Sequence, residues 1–229
     1  MIDFDEVTSL DRNRPWNVWP TTAAALFGCI AVSTFVALTA SPVYDALRTA
    51  FGVTHEVWGG LLFSSYLLLL GVMVAVWRPR AFGVQVGSAI REWRTIVAVS
   101  AGFVTVLGLI LLQMPTTPYS GSDWIFEVIA VPVSEELFFR GVVITGLVWL
   151  LGKAHPRGRA TWLAVVIGGG AFGLAHLSNL AIASASFVVP QALFAVALGI
   201  GAGYLRVVTG SIYPAILLHA AVNLVVVVM

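Results

Sequence analysis

Residues 124–150, W-I-F-E-V-I-A-V-P-V-S-E-E-L-F-F-R-G-V-V-I-T-G-L-V-W-L, decide how the rest of the chain is read. The stretch is long and apolar enough to cross a bilayer, for which a helix needs about 20 residues. Yet it carries Glu135, Glu136 and Arg140 near its middle. Ionisable groups at that depth cost about 2.5–3.5 kcal/mol each on insertion scales, and they mark function by default. The reading therefore turns on whether the surrounding sequence is membrane protein, and on what else lies at the same depth.

The composition answers the first question. Of 229 residues, 59% are hydrophobic and 10% charged, where soluble domains run near a quarter charged. Such a chain cannot cover itself with a polar surface, so lipid covers it. The net charge of +1 and the lack of Lys/Arg runs argue against nucleic acid as a partner. The one cysteine, Cys29, lies in an apolar run and reads as packing. Residues 1–14 place Asp3, Asp5, Glu6 and Asp11 ahead of Arg12 and Arg14. The apolar run that follows is of spanning length, with no clean small-residue cleavage site, so a retained first span is expected rather than a signal peptide.

About seven spans are expected by length, near residues 21–39, 57–77, 95–113, 124–150, 162–180, 187–206 and 211–229. The fold class is all-α, a single polytopic membrane domain over 1–229. Basic residues orient it. Arg12, Arg14, Arg78, Arg80, Arg91, Arg94, Lys153, Arg157, Arg159 and Arg206 share one side, and only Arg48 falls on the other. The N-terminus is then cytoplasmic and the C-terminus outside. In the stretch 78–94, arginines alternate with Phe82, Val84, Val86, Ile90 and Trp93. It reads either as a short helix on the cytoplasmic surface or as an ordinary basic loop. The pair Gly199 and Gly203, and the run Gly168 to Gly170, suggest close helix packing.

Two further spans carry polar groups: His176 and Asn179 in the fifth, His219 and Asn223 in the seventh. At about 1.5 Å per residue, Glu135 lies roughly 16 Å from the outer start of its span. His219 and Asn223 lie roughly 12 and 18 Å from the inner start of theirs, while His176 is nearer the outer end. Groups at similar depth on three helices can meet in one pocket. Residues four apart share a helical face and neighbours diverge by about 100°. Glu136 therefore pairs with Arg140, an arrangement more structural than catalytic, and Glu135 points elsewhere without that partner. Phe172, His176 and Asn179 share one face, His219 and Asn223 another. A free carboxylate takes a proton from water, imidazoles hold the water or a metal that binds it, and an amide donates to a developing oxyanion. Asn179 serves equally well as glue between helices. Pro132 is expected to kink or restart the fourth span just ahead of the acids.

These residues resemble a known family. S-E-E-L-F-F-R at 134–140 is similar to the E-E-x-x-x-R motif of the CPBP family, the CAAX-processing and bacteriocin-processing membrane proteases, also called Abi. F-G-L-A-H at 172–176 resembles its F-x-x-x-H motif, and H-A-A-V-N at 219–223 its H-x-x-x-N/D motif. The Gly-rich stretch 199–214 resembles the segment between the histidines. The resemblance covers 125–229, which would be the catalytic core.

It implies an intramembrane endopeptidase acting on a peptide or protein substrate at the membrane. Glu135 would activate water, His176 and His219 would bind the water or metal, and Asn223 would serve the oxyanion. Family members are described both as metalloproteases and as metal-free glutamate enzymes. Zinc could take Glu135, His176 and His219 with water fourth. The metal-free version is favoured here, because no carboxylate is evident behind the histidines, although backbone could stand in. One Lys against eleven Arg hints at a prokaryotic cell membrane, where a prenylated GTPase is not the expected substrate.

Other classes fit less well. A transporter would connect its midplane charges to both faces, whereas these gather on three helices. A non-catalytic scaffold or immunity protein on the same fold would be expected to lose an acid or a histidine, and all are kept. No Ser lies in the G-x-S-G context of a rhomboid protease, and the H-E-x-x-H begun by His55 and Glu56 fails at Gly59.

Overall fold

The computed structural model describes residues 80–85, 89–112, 126–152, 157–181 and 183–228, with 49–50 and 124 besides. The spans expected near 21–39 and 57–77 lie outside the described residues. Those described form helices joined by turns, with no strand among them.

Helix α1, Trp93–Leu111, is apolar on all sides and buries only Leu107. Val97, Val106 and Leu109 stay exposed, as suits a helix whose outer surface faces lipid. The second apolar stretch is one helical path with two irregular sections. A wide π-helical turn, Phe126–Ala130, leads into α2, Val131–Glu136. A second π-helical section, Leu137–Val143, leads into α3, Ile144–Leu151. Backbone angles remain right-handed at Ala130, Leu137 and Ile144, so the path does not break. Pro132 stands in the first turn of α2, where its missing N–H is tolerated. The two π sections flank the acidic pair on either side, and such sections concentrate at functional sites.

Helix α4, Arg157–His176, is followed by a 3₁₀ turn, Leu177–Ala181, and then by α5, Ala185–Thr209. The two helices lie antiparallel in close contact. A Cβ added to Gly169 would stand 2.9 Å from the backbone nitrogen of Ile200, and one on Gly199 only 2.8 Å from Gly169 Cα. The backbones approach as the glycines foretell. Helix α6, Tyr213–Val228, returns against α5 and α1. Among the described residues, three helices are long and apolar enough to cross a membrane: Trp93–Leu111, Gly158–His176 and Ala185–Thr209. At 16 residues, α6 is about 24 Å long, short of a hydrocarbon core of about 30 Å.

One feature differs from the sequence reading. Helix α5 runs on to Thr209, so Arg206 is not a loop residue between spans but lies in the last helical turn, fully buried. The apolar pattern around it could not reveal this, because a charge close to a turn signal reads as exposed. In the segment 78–94, the described residues before α1 form turns at 80–83 and 89–92. Ala81 and Gly83 are buried there, because the turn folds inward onto α3, α5 and the start of α6. The main core gathers Phe139, Phe172, Leu198, Leu205, Leu218 and Val222, where the acid-bearing helix, α4, α5 and α6 meet.

Candidate active site

Glu136 is the buried anchor of the cluster, with no exposed surface. Its Oε1 lies 2.9 Å from Arg140 Nη1, one helical turn on. No N–H of Arg140 is aimed along that line, and neither Nη1 nor Nη2 has a hydrogen-bond acceptor. Charge, rather than a formed hydrogen bond, joins the pair. The guanidinium lies 4.4 Å above the face of the Phe172 ring, a favourable place for a buried cation.

The same Oε1 accepts a hydrogen bond of 2.9 Å from His219 Nδ1. A carboxylate paired with Arg140 is an acceptor only, so Nδ1 carries the proton and the imidazole presents Nε2 on its other side. That Nε2 lies 3.9 Å from Oε2 of Glu135. The two adjacent acids therefore straddle one imidazole, and diverging by about 100° around the helix places them against its opposite nitrogens. Glu135 is the more open of the two, at 12% against 0%. Its Oε2 is buried and has no hydrogen-bond partner.

His176 ends α4, and its Nδ1–H donates to the carbonyl of Phe172 at 2.9 Å. Phe172 itself is the hub of the cluster. It meets Phe139, His176 and His219 edge to face, with centroids at 5.0, 4.7 and 5.6 Å. Edge-to-face contacts of this kind restrict ring orientation as well as burying area.

The amides are engaged elsewhere. Asn223 Nδ2 donates to the carbonyl of Glu127 at 2.8 Å, tying α6 to the first π-helical turn. Asn179 Nδ2 donates to Gln191 Oε1 on α5 at 3.0 Å, which is the interhelical alternative. The structure thus brings Glu135, Glu136, Arg140, Phe172, His176 and His219 together, places Asn223 beside them, and bonds Asn179 across to α5.

Sequence reasoning did not reach the bond from Glu136 to His219. It assigned that acid wholly to Arg140, although a carboxylate has room for several donors. Both histidines in fact have an acceptor behind Nδ1, one a carboxylate and one a backbone carbonyl, so the ground for preferring a metal-free site falls away. Even so, no three of His, Cys, Asp and Glu among the described residues are gathered to hold a metal ion. As they stand, Glu135, His176 and His219 are not gathered as a zinc ligand set.

Comparison with known proteins gives one match. Residues 118–225 match the family model described as type II CAAX prenyl endopeptidase, Rce1-like. No curated protein and no solved structure matches the chain. The matched region begins ahead of the acid-bearing helix and ends just past Asn223, so it takes in every site residue named above.

Proposed function

We propose that this chain, whose residues 118–225 carry a domain of the Rce1-like type II CAAX prenyl endopeptidase family, is an intramembrane endopeptidase that hydrolyses peptide bonds of membrane-associated substrates with water activated by Glu135. One observation carries the residue assignment: Glu135 Oε2 is buried, lacks a hydrogen-bond partner and faces Nε2 of a histidine whose other nitrogen is already held.

At 3.9 Å the two acceptor atoms are too far apart to bond each other. They are well spaced for one water to donate to both, each bond about 2.8 Å and the two meeting at roughly 90°. The proton passes to Glu135 as the water oxygen attacks the scissile carbonyl, and Glu135 then returns it to the departing amine. Glu136 keeps His219 in the tautomer that accepts at Nε2. The second N–H of Asn223 remains to donate to the tetrahedral oxyanion, and His176 Nε2, an acceptor while its Nδ1–H serves the Phe172 carbonyl, remains to take an N–H of the peptide and orient it.

The test is hydrolysis of candidate peptides by the purified protein in vesicles, with the Glu135→Ala variant beside it. Cleavage by the wild type and none by the variant is expected. Equal cleavage by both would sink the assignment of Glu135. Because the donors do not gather into a zinc site, activity is expected to survive a chelator. Loss on chelation with recovery on added zinc would reverse that part. We read the full chain as about seven spans with a cytoplasmic N-terminus, so reporters fused at Arg80 and Lys153 should face the cytoplasm and one at Ser120 the opposite side.

A further inference from the structure

Away from the site, one buried group has no evident purpose. Arg206 in the last turn of α5 has no exposed surface. Its Nη2 donates to the carbonyl of Ala81 at 3.0 Å, while Nε and Nη1 are buried without a partner. Among the described residues no carboxylate pairs with it. A buried cation with a single neutral acceptor loses more on desolvation than it recovers, so global stability does not explain it. Geometry does.

The turn 80–83 that receives Arg206 is held from three directions. Thr145 on α3 donates to the same Ala81 carbonyl at 3.2 Å. The carbonyl of Gly83 accepts from the N–H of Ile212 at 3.0 Å. Gly83 takes the left-handed conformation at φ 78°, and a Cβ there would stand 2.5 Å from Arg206 Cζ. The turn and the guanidinium are thus fitted to one another. Phe82 reaches the acid-bearing helix, its carbonyl 3.6 Å from where a Cβ on Gly141 would lie. Gly141 directly follows Arg140.

Ile212 precedes α6 and accepts its first helical bond, from the N–H of Ile216. Through Gly83, the turn therefore sets the axial position at which α6 starts. His219 lies seven residues further on, about two turns. The two sides of the catalytic pair are referred to one small turn: the helix of Glu135 through Thr145 and Gly141, the helix of His219 through Ile212. The turn lies outside residues 118–225, whereas Thr145, Arg206 and Ile212 lie within.

We infer that Arg206 is a positioning residue for hydrolysis, holding the turn 80–83 so that it registers α6 and His219 against the helix of Glu135. The inference rests on the activity proposed above. The guanidinium touches no reacting atom. It fixes a strut whose displacement slides α6, and a misplacement of about 1 Å far from the chemistry can cost up to 100-fold in rate.

The test uses the full chain in detergent or nanodiscs, with Arg206→Met, Arg206→Lys and Thr145→Val. Arg206→Met should insert and melt much as the wild type does, with kcat down about tenfold or more and KM little changed. Arg206→Lys, which can still donate to Ala81, should recover part of kcat, and Thr145→Val should fall between it and the wild type. A second reading is independent of hydrolysis: the imidazole ¹H–¹⁵N correlations of His219 should move in Arg206→Met. Unmoved His219 signals overturn the inference, whatever kcat does. So does a loss of activity matched by an equal loss of folded protein. If Arg206→Met does not insert, Thr145→Val carries the same readings alone. Moved His219 signals in a chain whose wild type cleaves nothing would uphold the positioning and remove the proposed activity instead.

Discussion

Arg140 and Arg206 are both almost wholly buried, on helices that pack in one bundle, and their surroundings differ in kind. Arg140 has a carboxylate 2.9 Å away and an aromatic face beneath its guanidinium. Arg206 has a single backbone carbonyl. The first region is a charge network, in which a guanidinium and an imidazole share one oxygen of Glu136. The second is a mechanical joint, in which a cation is spent on the position of one turn. Burial alone therefore says little about what a charged residue is for. The partner decides: removing one member of a network strands the others, while removing a lone cation strands almost nothing.

The largest effect should come from the network. Arg140→Ala leaves Glu136 buried and uncompensated, a loss of about 3–5 kcal/mol, read as a much lower melting temperature and poor yield. Glu136→Gln should cost similarly by stranding Arg140. Because the structure adds the bond to His219, its surviving folded fraction should also be slow. If Glu136→Gln melts like the wild type, Arg140 depends on its partner no more than Arg206 does.

Next comes Glu135→Gln, which should fold and insert normally yet lose roughly two orders of magnitude in hydrolysis. The comparison needed is melting temperature, expression and specific activity for both acid variants side by side. A stable, inactive Glu136→Gln beside an unstable Glu135→Gln would exchange their roles.

Arg206→Met should be the reverse of Arg140→Ala in stability. Replacing an unpaired buried cation with an apolar chain is neutral or stabilising, and Thr145 still serves the Ala81 carbonyl. Its melting temperature should match or exceed that of the wild type, and a fall as large as that of Arg140→Ala would erase the distinction between the regions. The smallest effect belongs to Asn179→Ala, which deletes one hydrogen bond to Gln191. It should cost about 1 kcal/mol with hydrolysis per folded molecule little altered. A large loss of activity would return Asn179 to the active site.

Much of the site is legible in the primary structure because helices carry their geometry in their spacing. Glu136 and Arg140 pair four residues apart, and Phe172 and His176 share a face. Each of these is a local consequence of 3.6 residues per turn, readable before any packing is known. The close approach of α4 and α5 is legible for a related reason, since glycine on a helix surface signals room for another backbone.

What the sequence determined by itself is an apolar helical chain with acids, imidazoles and an amide held in separate helices. The tertiary structure alone decided which of them touch. The link from His219 to Glu136 joins residues 83 apart in the chain, and that from Arg206 to Ala81 joins residues 125 apart. Spacing rules reach about one helical turn, and beyond that a side chain's partner depends on how whole helices pack. Arg206 shows the limit most plainly. Its position near a helix end marked it as a surface charge, and only the inward fold of the turn at 80–83 made it a buried one.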